Sequence, residues 1–240
     1  MADDLLTDSV RLRAGWIVYN PNHYNGNIHT WLEEYKPSQI NQNCGICWLS
    51  LRSPGTQECD ESGVDESENG ESENSNLDGL IESFDRLQAS CRPINSQTLT
   101  ELAQMFNVRV GKWMFFTDTG AKVDYLWEKV ATNIASGALH PAISAKVSTA
   151  DDTGSHVVLI YNNDFADKDE VYITENAIRN IGIKTKMCYK ADAYTYMGIY
   201  TNNPWGVRPV LYTSMFDIQQ GVSNILECSD LMNHENMDTT

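Results

Sequence analysis

The side chains in this sequence best placed to do chemistry are cations set among apolar and aromatic neighbours. Lys146 stands in residues 142–148 (AISAKVS), a run with no other charge. A lysine there either lies outward along a strand edge or turns its ammonium group toward a ligand. Further along, Lys190, Tyr194 and Tyr196 in KADAYTY and Arg208 in NPWGVRPVLY add two cations and aromatic surface. A concave sheet face that holds aromatics beside isolated cations can stack a base and neutralise a phosphate. The alternate spacing of the two tyrosines also suits a strand packing against its neighbours. Trp16, in AGWIVYNPNHY, is a candidate stacking platform, although the strand-like residues 17–19 after it would bury it as readily. Trp113 and Trp127 occupy apolar-face positions and read as core anchors.

Other site chemistries find little support. Cys44 and Cys47 form a lone CxxC with no second pair, and the five histidines show no ligand spacing, so neither a metal nor a cofactor is expected. The sequence contains no Gly-x-Ser-x-Gly elbow, no Gly-Lys-Ser/Thr phosphate loop and no Gly-x-Gly-x-x-Gly fingerprint.

The elements that must position these residues are short strands and amphipathic helices. Residues 45–51 (GICWLSL) read as a strand. Leu77, Leu80, Ile81, Phe84 and Leu87 recur at helical spacing. Thr98 and Glu101 form a capping-box pair ahead of Leu102 and Phe106. Residues 112–117 (KWMFFT) are the next strand, and Asp124 opens a helix with Leu126, Trp127, Val130 and Ile134 on one face, stopped by Gly137. Residues 142–148 and 156–161 read as an antiparallel pair joined by TADDTGS. Asp167 caps a helix with an acidic first turn and Gly182 behind it. Residues 186–189, 194–200 and 210–212 are rich in β-branched and aromatic side chains and read as strands. The sum predicts an α+β protein: a curved, mainly antiparallel sheet with helices packed on one face.

At 240 residues the chain suits one large domain. Its net charge of −16 argues at first against a polyanionic partner. The distribution removes much of that objection. Eleven acids and no base fall between Glu58 and Asp85, which leaves −5 for the rest, and residues 86–216 hold thirteen Lys/Arg against twelve Asp/Glu. The stretch at about 55–76 is polar, acidic and nearly free of apolar residues, so it cannot offset its ordering entropy by burial. It is expected to be a disordered insert in a single domain over residues 1–216. Residues 217–240 read as an acidic flexible tail in which Ile218, Val222, Ile225 and Leu226 allow one weak helix. No apolar run approaches a membrane span, and the N-terminus Met1-Ala2-Asp3-Asp4 is acidic where a secretory signal would be basic. With six cysteines, too sparse for a disulfide scaffold, a cytoplasmic protein with reduced thiols is expected, with the nucleus as the alternative.

From Gly111 onward the blocks GKWMFF, KVDYLWEKV, AKVS, HVVLIYNNDFADKDEV, KADAYTYMGIY and NPWGVRPVLY follow one another in an order that resembles the basophilic-leukaemia-expressed protein family. That family is grouped with the translation initiation factor 4E-like fold. In the factor a Gly-Arg-Trp strand, an Asp-x-x-Trp helix, a Val-Arg strand and an amphipathic helix come in the order of Gly111-Lys112-Trp113, Asp124 to Trp127, Ala145-Lys146-Val147 and Asp169 to Ile181. The resemblance places Lys146 on the strand that carries a phosphate-binding arginine in the factor. It implies a non-catalytic binding protein with RNA or a nucleotide-containing ligand as partner. The residues before Gly111, LAQMFNVRV, contain neither the tryptophan nor the Trp-Glu pair that reads the cap, so the likeness carries the fold rather than that chemistry.

Two alternatives remain open. Gln42-Asn43-Cys44-Gly45-Ile46-Cys47-Trp48 resembles the active-site signature of papain-like cysteine proteases, with Ser155-His156-Val157-Val158 and Asn203-Pro204-Trp205-Gly206 resembling the histidine and asparagine segments. The trio Cys47, His156 and Asn203 is chemically competent, because histidine lowers the thiol pKa and the amide orients the imidazole. Against it, Cys47 leads into WLSLRSPGT, a strand and turn, where the protease nucleophile opens a long helix. The other alternative is a protein-interaction module whose outer helices, including Phe106 and Trp127, present a groove to a partner helix.

Overall fold

The computed structural model of the chain describes residues 11–13, 15–55, 75–90 and 92–228. The acidic insert expected at about 55–76 lies almost wholly outside the described residues, as does the chain beyond 228.

Among the described residues nine strands form one sheet: β1 (Arg11–Arg13), β2 (Trp16–Tyr19), β3 (Trp48–Arg52), β4 (Gly111–Asp118), β5 (Ser144–Ser148), β6 (Ser155–Asn162), β7 (Met187–Ala191), β8 (Tyr212–Asp217) and β9 (Val222–Glu227). Their order across the sheet is β1-β2-β3-β5-β6-β4-β7-β8-β9, antiparallel throughout except for the parallel pair β2 and β3. The helices are α1 (Ile28–Glu34), α2 (Leu77–Gln88), α3 (Ser96–Met105), α4 (Ala121–Ala135), α5 (Lys168–Asn180) and α6 (Asp192–Tyr196). The protein is therefore α+β, with a mainly antiparallel sheet.

Alternation along the strands sends one set of side chains toward the helices. Leu49, Leu51, Trp113, Phe115, Ala145, Val147, Val158 and Ile160 join Trp127, Val130 and Ile134 of α4 and Val171 and Ile178 of α5 in the main core. Trp113 and Trp127 are fully buried, and the Trp113 indole donates to the Val171 carbonyl at 2.9 Å. Gly111 has no side chain because Tyr189 crosses it, and any Cβ there would collide with the Tyr189 hydroxyl. That close approach lets Tyr189 donate to Asn162 Oδ1 at 2.7 Å.

Four local expectations change. Helix α3 starts one turn early: Asn95 is the cap, its carboxamide accepting from Thr98 N at 2.9 Å while the Thr98 hydroxyl accepts from Asn95 N at 3.0 Å. Helix α4 starts at Ala121, and Asp124 instead accepts from Ser38 N and Oγ at 3.1 and 2.7 Å. Residues 194–200 are not a strand. After β7 the chain turns into α6, because Ala193, Tyr194 and Met197 reach the core at helical spacing, and burial there outweighs the β preference of tyrosine. The single helix expected in the tail is strand β9. Asp217 accepts from Gln219 N and Gln220 N at 2.8 and 3.0 Å, Gly221 takes φ 70°, and the resulting turn pairs β9 with β8. Ordered chain thus continues past residue 216 to Cys228, whose N–H donates to Leu211 O at 2.8 Å.

Candidate functional site

The side chains that alternate with the core residues form a second face of the sheet. Leu159 and Tyr161 point there, alternating with Val158 and Ile160, and with Val110 and Ile143 they make a smaller apolar cluster against which Trp48, Met114 and Val157 pack. Four charged side chains are buried on this background. Lys112, Lys146 and Lys190 are only 7 %, 7 % and 6 % exposed, and Asp192 is 0 % exposed.

Strand register explains their meeting. Lys112 of β4 lies opposite Lys190 of β7 on one side and Tyr161 of β6 on the other. Lys146 of β5 lies opposite Leu159, one diagonal step from Tyr161, and opposite Ser50 of β3, one diagonal step from Trp48. Trp48 in turn lies opposite Trp16 of β2. The parallel β2–β3 pair therefore extends the cation row with an indole pair, whose ring centroids are 6.0 Å apart and inclined by 31°.

The ammonium groups sit over rings. Lys146 Nζ is 4.5 Å from the Trp16 centroid, 4.8 Å from Trp48 and 5.4 Å from Tyr161, and Lys112 Nζ is 5.5 Å from Tyr161. Lys190 Nζ is 4.1 Å from the Tyr200 centroid and donates to Ile199 O at 3.0 Å. Lys112 also pairs with Asp192 Oδ1. Burying an ammonium group carries a penalty of several kcal/mol, and a desolvated cation–π contact returns about 2 kcal/mol. Among the described residues, Asp192 is the buried carboxylate that accompanies these three buried lysines.

The titration behaviour follows. Burial, reinforced by the positive charge of Lys112 and partly offset by Asp192, lowers the Lys190 pKa to about 8. Burial pushes the Asp192 carboxyl up, while Lys112, Lys146 and Lys190 pull it back.

Of the residues singled out by the sequence, the structure brings together Lys146, Lys190 and Trp16. Tyr194 is a core residue, fully buried with its hydroxyl donating to Ser96 O at 3.3 Å, and offers no surface to a ligand. Tyr196 is half-buried on α6 against the main core. Arg208 is exposed in the loop before β8, outside the lysine cluster. Lys112, Asp192, Trp48, Tyr161 and Tyr200 belong to the cluster and are not legible as site residues in the sequence. One signal does exist: Lys112 alternates with Trp113 and Phe115 in GKWMFF, as Lys146 does with its apolar neighbours.

The protease trio is not assembled. His156 is buried with Nδ1 bonded to Ser148 O at 2.7 Å and Nε2 bonded to Thr119 Oγ1 at 3.0 Å, so both ring nitrogens are taken. Asn203 staples its own loop, donating to Tyr200 O and Val207 O at 2.9 and 2.5 Å and accepting from Trp205 N and Val207 N at 3.2 and 3.1 Å. Cys47 is exposed ahead of β3. Among the described residues no group of three His, Cys, Asp or Glu side chains is placed to hold a metal, and no helix is long and apolar enough to cross a membrane.

A family model described as basophilic leukemia-expressed protein Bles03 matches residues 17–198, from β2 through α6. The chain belongs to the Bles03 family. The matched span of this Bles03 family member includes the three lysines, Asp192, Trp48 and Tyr161, and begins one residue after Trp16. Among solved structures the chain is similar to C. elegans eIF4E-3 in complex with the 4E-binding protein Mextli and cap analog, with TM-score 0.33 and 16 % identity, covering 37 % of this chain and 54 % of that one. It is similar to Ascaris suum eIF4E-3 in complex with m7G cap, with TM-score 0.31 and 16 % identity over 35 % and 52 %. It is also similar to a schistosome eIF4E complexed with m7GpppA and 4E-BP, with TM-score 0.32 and 12 % identity over 41 % and 56 %. The chain spans about half the length of these structures.

Proposed function

We propose that the chain is a non-catalytic binding protein for RNA or a nucleotide-containing ligand, held on the sheet face opposite the helices. One observation carries the reading: three buried lysines surround one buried carboxylate on a face lined by Trp16, Trp48, Tyr161 and Tyr200. Ammonium groups suit the anionic oxygens of a phosphate, and the half-buried indoles of Trp16 and Trp48 give a base a surface to stack on. Lys146 and Lys190 are the phosphate contacts, with Lys112 joining them from its pair with Asp192.

Tryptophan fluorescence during titration with oligoadenylate at two salt concentrations tests this. Quenching that weakens with added salt is the expected result, because phosphate contacts release counterions. No quenching at either salt concentration points away from nucleotide recognition and toward a protein partner on the outer helices. The observation favouring that second reading is that Tyr125 of α4 and Ile173 of α5 are exposed at 57 % and 55 %. It cannot involve Trp127, which is fully buried, and Phe106 is half-buried at the end of α3.

A further inference from the structure

Asp192 has one oxygen accounted for and one that is not. Its Oδ1 takes Lys112, whereas Oδ2 is buried and has no hydrogen-bond partner among the described residues. Buried carboxylate oxygens are rarely left so, since each can accept two hydrogen bonds. The nearby ammonium groups are engaged elsewhere: Lys190 donates to Ile199 O, and Lys146 lies over the Trp16 and Trp48 rings. An anionic oxygen repels an unprotonated phosphate oxygen, so the ligand atom that meets Oδ2 must be a donor.

We infer that Asp192 makes the site selective for ribose, its Oδ2 accepting a hydrogen bond from the 2′-hydroxyl of a ribonucleotide whose phosphate is held by the lysines. This rests on the nucleotide-binding reading and adds the sugar to it. In a ribonucleotide the 2′-hydroxyl is the donor nearest the 3′-phosphate, and a carboxylate is a proven partner for it in other nucleotide sites. Lys112 and Lys190 have flexible stems, so their ammonium groups can swing onto phosphate and open the way to Asp192 with the strands in place. Base-edge donors lie on the far side of the nucleotide from the phosphate and do not serve this geometry.

The test uses the full chain and three oligoadenylates of equal length, with ribose, deoxyribose or 2′-O-methylribose, titrated by fluorescence anisotropy. Ribose binding at least tenfold tighter than both others is expected, because a site built to accept from a hydroxyl rejects the analogue lacking it. In Asp192→Ala, checked for its fold by circular dichroism, the ratio falls toward one. The ligand series decides the matter even if that variant does not fold. Equal affinity for the three ligands overturns the ribose inference and leaves the nucleotide reading standing. Equal affinity for the ribose and 2′-O-methyl forms, with deoxyribose weaker, also overturns it, since sugar shape and not the donor would then be read. Failure of all three to bind at low salt sinks the nucleotide reading itself.

Discussion

Lys190 gives the proposed site a pH dependence whose size can be worked out. Its ammonium group is buried over Tyr200, bonded to the Ile199 carbonyl, and directly across the β4–β7 ladder from Lys112, an arrangement that holds its pKa at about 8. A lysine with that pKa is roughly 90 % protonated at pH 7 and roughly 10 % at pH 9 in the free protein. A bound phosphate keeps the group charged, so apparent affinity follows the protonated fraction of the free state. The sign is fixed: binding weakens as pH rises through 8, by about tenfold between pH 7 and pH 9, or about 1.4 kcal/mol. Oligoadenylate is the suitable ligand because neither its phosphodiesters nor its bases titrate in this range. Isothermal titration calorimetry measures the affinity, and the same titration in buffers of different ionisation enthalpy counts the protons taken up. Lys190→Met removes the dependence and binds at pH 7 no more tightly than wild type does at pH 9. A wild-type affinity that is flat from pH 7 to 9, or an equal fall in Lys190→Met, refutes the placement of Lys190 against phosphate.

Lys146→Ala is expected to weaken oligonucleotide binding and to reduce the slope of log K against log salt by about one unit, read from titrations at several salt concentrations. Unchanged affinity and slope would remove Lys146 from the site. Trp48→Leu keeps an apolar side chain against the Leu159 and Tyr161 cluster but removes one indole of the pair, and is expected to lose about 1–3 kcal/mol of binding per stacked base together with much of the fluorescence quench. Remote from the site, Arg179 is buried, with Nε on Glu175 at 2.7 Å and its other nitrogens on Ile183 O, Thr185 O and Ser214 Oγ at 3.0, 2.7 and 2.6 Å. Arg179→Ala strands the Glu175 carboxylate in the core and is expected to cost about 3–5 kcal/mol in urea unfolding, with ligand affinity of the folded fraction unchanged.

Much of the fold was already legible along the chain, because its signals are local. The spacing of Leu77, Leu80, Phe84 and Leu87 placed α2, the Asp167 cap placed the start of α5, and the apolar runs AISAKVS and HVVLIY on either side of the polar loop TADDTGS placed β5 and β6. Each is a pattern of neighbours within a few residues, where periodicity and capping act. Expectations failed where distant chain decided the outcome. Tyrosines that favour strands entered helix α6 because the core takes Tyr194 there, and the apolar residues of the C-terminal stretch became an edge strand because β8 offered free backbone groups.

The candidate site divides in the same way. A charge inside an apolar strand marked Lys146 without any structure, since a lone polar residue in an alternating pattern must face somewhere. Nothing local distinguishes Asp192, joins Lys112 to Lys190, or joins Lys146 to Trp16 and Trp48. Those associations exist because β4 lies between β6 and β7, and because β2 runs parallel to β3 and sets one tryptophan beside the other. Sequence by itself determined the residue types, the alternation that turns each lysine away from the helices, and most of the elements. Only the strand order and register decided which of those side chains meet, because pairing across a sheet depends on backbone hydrogen bonds between segments that can lie a hundred residues apart, and no local pattern encodes them.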